Sequence, residues 1–496
     1  MSVSDNLRDP VLPQLRTLLS EQLMRDELQR LTTNRDESNV IVAPTSGRGS
    51  TGSEVVACKI VWTKYRPADH LRIAYEVHTA DPDNGTRRVS YLHGRAYAAT
   101  EAAQFYSSAQ RHAHAVDGAL PALSYLPALG LTLWAFPNDR KLPLRQVLNP
   151  RYLRDRLATS FGIPAAIDPN ATFSQTTIGY IPEQSFTQRL TITHDEQCHV
   201  VYAKTVNEHY DGALPAELPR ALHSNAQVSS TSCQDAPLIA SYWPETRTIV
   251  QRAVTGEPLA SLRRDRLTWI SAMGAAGAAL ARFHSQTYAP RRAAPRPWQP
   301  ALERNRHLLA LVAPRFLNRF DSLARILLAR TASMGNHEVL LHGDLHSHNI
   351  LFDGQQIAFI DLEDVHRGSW SDDLGSFWAG LLVNPLLASR RIDDGPYDVA
   401  SRRWALNAFW QSYQQAASWP VTTAVLRQAT LRSLLTERIY RSITHVTPIL
   451  HDDLEAILHL AETLPLHFQT TSSRPEVLND SSQWQHPTAS IQGSTS

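Results

Sequence analysis

The sequence predicts an α+β fold of two lobes, a small antiparallel β-sheet lobe followed by a mainly helical one, with an accessory α/β segment in front. Three observations predict it. From Glu54 to Val254 apolar residues come in short runs punctuated by Gly, Pro, Asp and Asn, the mark of strands joined by tight turns. From Leu259 onward they recur mostly at helical spacing. Within that helical part, residues 339–373 read VLLHGDLHSHNILFDGQQIAFIDLEDVHRGSWSDD and concentrate carboxylates and imidazoles between short apolar runs.

At 496 residues the chain is long enough for two or three domains, and a hydrophobic fraction of 43% supports sizeable cores. Lys and Arg number 48 against 47 Asp and Glu, a net charge of +1, so no global field recruits nucleic acid or an anionic membrane. A small molecule is the expected partner, with the oligomeric state open. The first 25 residues lack the basic start and unbroken apolar run of a signal peptide, and no stretch approaches a membrane span. Cys58, Cys198 and Cys233 are too scattered for a disulfide framework, so a reducing cytoplasm is expected.

Taken in order, residues 1–53 predict a helix over about 10–31, with Leu12, Leu15, Leu18, Leu19, Leu23 and Leu28 at near-helical spacing, then a flexible linker over Thr32–Ser53. The accessory segment, 54–170, predicts strands at Val55–Trp62, His70–His78, Arg87–Leu92 and Leu131–Phe136, and helices at Ala96–Ala115 and Pro150–Phe161. The small lobe, 171–255, predicts strands at Thr176–Ile181, Phe186–Thr193, His199–Val206, Pro237–Tyr242 and Thr246–Val254. Thr255–Leu259 breaks the pattern as a hinge would. The helical lobe, 256–470, predicts helices over Leu259–Gln286, 315–333, 373–386, 398–418, 422–442 and 450–465; the Ser/Thr/Gln/Pro-rich tail, 471–496, predicts disorder.

In 339–373, Val339–Leu341 and Ile357–Ile360 read as short buried strands that end in polar groups. Asn349 follows Asp344 by five positions, and Asp361 follows after the turn at Asp353-Gly354 and a return strand. Three oxygen ligands can therefore converge. Phosphoryl transfer from a nucleotide needs such a set, because the protein chiefly positions and neutralises charge. Asp344 would act as base, while Asn349 and Asp361 would offer hard oxygen atoms to magnesium. The segments His342–Asn349 and Ile360–Asp364 resemble the H-G-D-x-x-x-x-N loop and I-D-x-E-D segment of the aminoglycoside phosphotransferase and choline kinase group. That resemblance covers about residues 174–465. It implies a protein-kinase-like fold, ATP and Mg2+ as cofactors, and transfer to a hydroxyl of an aminoglycoside, amino alcohol or sugar-like acceptor. It also implies that Asp373, in the matching G-x-x-x-x-D-L, braces the catalytic loop, and that His284 is structural. Glu363 and Asp364 are open between a second magnesium and a salt bridge.

Two other readings share these letters. Asp344–His348 also looks like the D-L-H-x-H opening of the PHP-type metal-dependent phosphoesterases, which would need further His and carboxylate clusters around His366, His445 or His451. A catalytically inactive pseudokinase that serves as a binding module is the other.

Such a kinase needs a cation on the third strand of its small lobe, paired with a helix carboxylate. The chain looks internally repeated: Tyr65-Arg66-Pro67 matches Tyr180-Ile181-Pro182, and Val89–His93 aligns with Val200–Lys204. On that alignment Lys204 stands where His93 stands in the first copy, so the nucleotide site is expected on the second. Glu217, in a helix beyond, is the expected partner of Lys204, with Glu208 as competitor. No G-x-G-x-x-G precedes Lys204; the corresponding turn is Pro182–Ser185, and no residue of it is assigned to phosphate.

Overall fold

The computed structural model describes residues 9–33, 53–110, 113–114, 116, 120–208, 240–288, 297–330, 337–387 and 399–464. The expected linker and tail lie for the most part outside these residues, as does Glu217. Among the described residues no helix is long and apolar enough to cross a membrane.

The leucines near the N-terminus form two helices rather than one, Leu15–Leu18 and Glu21–Thr33. The break lets Leu12, Leu15, Leu18 and Leu19 all turn inward, while Leu23 stays exposed. The second helix packs on the first strand of the accessory sheet, where Gln29 accepts from the Val55 amide.

That sheet has five strands: β1 Glu54–Arg66, β2 His70–Ala80, β3 Arg87–Ala96, β4 Leu123–Leu126 and β5 Leu131–Ala135, in the order β1-β2-β3-β5-β4. β3 runs further than expected, and the following helix is confined to Ala99–Ala109. β4, which lacks an unbroken apolar run, completes the edge. The small lobe repeats the plan with β6 Thr172–Ile181, β7 Ser185–His194, β8 Gln197–Val206, β9 Ala240–Trp243 and β10 Thr248–Arg252, ordered β6-β7-β8-β10-β9. Both sheets are antiparallel and share one strand order. The helix Pro150–Ser160, capped by the Asn149 side chain, packs Leu153 and Leu157 against Leu190, Val201, Trp243 and Val250 of the second sheet.

Register corrects the alignment of the repeat. Tyr65 faces Leu71 as Tyr180 faces Phe186, which makes Arg72 the counterpart of Thr187. Arg72 pairs with Arg95 and Thr187 with Lys204, so Arg95, not His93, is the counterpart of Lys204. The hairpin after β2 is longer than that after β7, and counting letters across it displaced the match.

The two sheets meet through the β6–β7 turn. Glu183, at φ 60°, pushes its carboxylate between Arg72 and Arg95 with only 1% of its side chain exposed. Its amide donates to Asp139 Oδ2 at 2.8 Å, and the Tyr180 hydroxyl donates to the same oxygen at 2.8 Å. Burial alone would raise the Glu183 carboxyl; the guanidinium groups of Arg95 and Arg72 outweigh it and hold it below the usual range. Glu183→Ala leaves two buried guanidinium groups facing each other and should destabilise the chain by about 3–5 kcal/mol. A melting temperature unchanged from the parent would refute this account of the junction.

The accessory sheet also rests on the helical lobe: the Thr63 hydroxyl donates to the Val446 carbonyl at 3.1 Å, and the Lys64 ammonium lies 5.5 Å from the centre of the Tyr440 ring. In that lobe Asp265 caps the long helix Arg266–His284 by accepting from the amides of Leu267 and Thr268. This helix lies against Val399–Ala416 so closely that a Cβ on Gly277 would meet the Phe409 carbonyl at 2.1 Å. Gln299–Val312 is a helix beyond those expected; Leu317–Ala329, Trp370–Val383, Thr423–Ser433 and Leu450–Thr463 fall near their expected places. The expected helix 422–442 contains a π-helical turn, Leu434–Arg438. The hinge region contributes β11, Glu257–Pro258, which pairs with β13, Ile350–Phe352, and so joins a sheet with β14, Ile357–Phe359. A separate pair is made by β12, Glu338–Leu341, and β15, His366–Ser369.

Candidate active site

The polar stretch after β12 is held from beneath by a single buried carboxylate. Asp373, on the first turn of the helix Trp370–Val383, accepts from the amides of His342 at 2.6 Å and Gly343 at 2.9 Å. His284 Nε2 lies 3.1 Å from the same group, and its Nδ1 lies 2.7 Å from the Tyr413 hydroxyl. Burial would raise the Asp373 carboxyl, but His284, His342 and the Gly343 amide together keep it below the usual range. Gly343 adopts φ 86°, and a Cβ there would strike the Asp364 carbonyl at 2.2 Å, so only glycine fits. The His342 ring completes the brace with Nε2 3.0 Å from the Ile360 carbonyl.

Beyond this brace the loop presents Asp344 and folds back on itself. The Asn349 side-chain amide donates to the Asp344 carbonyl at 3.1 Å, which leaves its oxygen as an acceptor. The Asn349 carbonyl accepts from the Ile360 amide at 3.0 Å, tying the loop to the strand that ends at Asp361. Asp361 itself sits in the left-handed region at φ 62°, a conformation costly for an aspartate and of the kind that gathers at functional sites.

Lys204, on β8, reaches across to this point. Its Nζ lies 2.6 Å from Asp361 Oδ1 and 2.7 Å from Glu363 Oε2. Burial would lower the ammonium; the carboxylates of Glu363 and Asp361 reverse that and hold it above its ordinary range. Glu363 is pushed up to about 7, by burial first and then by the charge of Asp361, against the pull of Lys204. Asp361 stays low because Lys204 outweighs its burial.

Lys204, Asn349, Asp361 and Glu363 line one cavity of about 400 Å³ between the small sheet and the helical lobe. Its apolar walls come from Ile178, Ile249, Val254 and Leu351, beside Tyr202 and the hinge at Gly256. These residues fit a magnesium nucleotide: an apolar slot for a base, a cation for phosphates, and carboxylate and amide oxygens suited to a hard ion. The amides of Glu183 and Gln184 are already engaged, to Asp139 and to the Ile181 carbonyl, so the turn that precedes β7 offers no cradle from those groups.

Three of the expected site residues, Lys204, Asn349 and Asp361, thus share one cavity, and Asp344 stands on the loop that leads to it. Among the described carboxylates, Lys204 meets both Asp361 and Glu363, so Glu363 makes a salt bridge. Glu208 instead lies 3.7 Å from Lys141. His346 brings Nε2 to 3.8 Å from Asp344 Oδ2, and burial pushes it down to about 4, so it is neutral near pH 7. Among the described residues no group of three or more His, Cys, Asp and Glu is arranged to hold a metal ion. His366 lies instead against the Asp364 carbonyl, His451 against the Val312 carbonyl and His445 beside the Trp62 ring.

Residues 212–415 match the phosphotransferase enzyme family. A methylthioribose kinase of Geobacillus kaustophilus is 39% identical over 67 residues, which are 14% of this chain and 17% of that protein, so the chain matches less than a fifth of that relative's length. Among solved structures, a choline/ethanolamine kinase family protein of Mesorhizobium loti is 14% identical with a TM-score of 0.43, covering 63% of this chain and 94% of that one. A thermostable mutant of an aminoglycoside phosphotransferase, in complex with ADP and hygromycin B, is also 14% identical with a TM-score of 0.43, covering 65% and 99%.

Proposed function

We propose that this chain, whose residues 212–415 match the phosphotransferase enzyme family, moves the γ-phosphate of Mg-ATP to a hydroxyl group of a small molecule. The observation that carries the reading is the meeting of Lys204, Asn349 and Asp361 on the wall of one cleft. Asn349 and Asp361 are the groups that would hold magnesium, whose charge would neutralise the nucleotide phosphates. Lys204 binds phosphate oxygens and, in doing so, exchanges the carboxylates that now hold it for the nucleotide. Asp344 orients the acceptor hydroxyl and receives its proton.

Millimolar Mg-ATP should raise the melting temperature of the purified chain, since a ligand at a hundredfold its Kd adds about 2.7 kcal/mol to the folded state. Lys204→Ala should keep the fold and raise the KM for ATP. No thermal shift with Mg-ATP would remove the basis of this reading.

A further inference from the structure

On the far side of the catalytic loop lies a second cavity, of about 960 Å³. The loop divides the two spaces: Asn349 faces the nucleotide cleft, whereas Leu345 to His348 line this one. An acceptor delivered to Asp344 would occupy it.

Its charge is one-sided. Arg263 and Arg264, on the turn after β11, stand on one wall, and Arg438 and Arg441 on the other. Among the described lining residues Glu257 is the sole carboxylate. His346 and His348 extend the polar wall toward Asp344. In a chain whose net charge is only +1, four guanidinium groups around one cavity make a local positive field there.

Two of the arginines are also held in place. Arg263 donates to the Ser347 hydroxyl at 2.9 Å, which fixes it to the catalytic loop. Arg438 ends the π-helical turn Leu434–Arg438, a local widening of the kind that recurs at functional sites. It is buried, and it donates to the Ser376 carbonyl at 2.7 Å. It lies over Gly380, where a Cβ would come within 3.0 Å of its Nη2, so the glycine leaves room for the guanidinium. Arg441 follows three positions later, about one turn along.

We infer that the acceptor is an anionic hydroxyl compound, a small polyol bearing a phosphate or a carboxylate, and that these arginines bind its charged end while a hydroxyl meets Asp344. The inference rests on the phosphotransferase reading and narrows it. Guanidinium forks match both phosphate and carboxylate oxygens, and charge-assisted bonds of this type are the strong ones. An aminoglycoside or an amino alcohol would bring its ammonium groups against four like charges. In the reaction the acceptor oxygen forms a bond to the γ-phosphorus, the bond to the bridging oxygen of ATP breaks, ADP leaves, and the hydroxyl proton passes to Asp344.

The test is ADP release by the full chain with glucose 6-phosphate, gluconate, glucose, ethanolamine and kanamycin, alongside the Mg-ATP thermal shift. An anionic member should give the highest kcat/KM, and the better of the two tells phosphate from carboxylate. R264Q and R441Q, at exposed positions, should each raise the KM for that acceptor on the order of ten- to a hundredfold while the Mg-ATP shift persists. If a neutral or cationic compound is the best acceptor, if neither anionic compound is phosphorylated by a chain that shows the Mg-ATP shift, or if the variants leave KM unchanged, the inference fails. Loss of the Mg-ATP shift in the parent chain would instead sink the phosphotransferase reading beneath it.

Discussion

Asp344→Ala should lower kcat by about a hundred- to ten-thousand-fold, the range that a positioned general base supplies, and should leave the Mg-ATP thermal shift intact. The separation follows from where the residue stands. Asp344 projects from the loop beside His346, while Lys204, Asn349 and Asp361, the groups proposed to bind the magnesium nucleotide, line the cleft. Its carboxylate makes none of the hydrogen bonds that brace the loop, which run through Asp373, His342 and the backbone. Truncation should therefore spare the fold. Full turnover by Asp344→Ala in a single-turnover measurement with a working acceptor would show that the proton goes elsewhere.

Asp373→Ala should act differently and on more than one quantity. The carboxylate is buried and satisfies two backbone amides and one imidazole at once. Removing it strands the amides of His342 and Gly343 and leaves His284 without one of its two partners. Loss of one member of a buried charged network costs about 3–5 kcal/mol. Because the amides freed are those that aim Asp344, turnover should fall in the fraction that remains folded. Asp373→Asn, which keeps one acceptor oxygen, should recover part of the stability. Denaturation curves of both variants that overlay the parent would contradict the role assigned to Asp373.

Much of this site was legible in sequence because its parts are local. The loop from His342 to Asn349 and the strand end at Asp361 lie within twenty residues, and period, turn chemistry and residue type fix their order. Lys204 was also legible, as a lysine at a strand end of the right lobe. What sequence could not supply depends on distant parts of the chain. Glu363 could be read only as a metal ligand or a salt-bridge partner, and it meets Lys204 because the fold brings β8 to it across 159 positions. The four arginines of the second cavity are scattered over nearly 180 positions, so none stands out until the chain folds. Arg95 was hidden for another reason: strand register, not letter identity, decides which residues are equivalent in two sheets, and unequal hairpins offset the two. β4, four residues flanked by prolines, lacked the unbroken apolar run that marked strands as short as β5 and β14.

The junction at Glu183 bears on how the lobes move. In a two-lobed protein joined by a single hinge, the small lobe can swing as an independent body. Here the β6–β7 turn is pinned to Arg72 and Arg95 of the accessory sheet, and that sheet is itself seated on the helical lobe through Thr63 and Lys64. The small lobe is therefore tethered by two routes, the hinge at Gly256 and the accessory sheet. Any wide opening has to break a buried ion pair or carry the whole accessory sheet along. Under the proposed reading, nucleotide and acceptor would then reach the two cavities on either side of the loop without a wide swing of the small lobe.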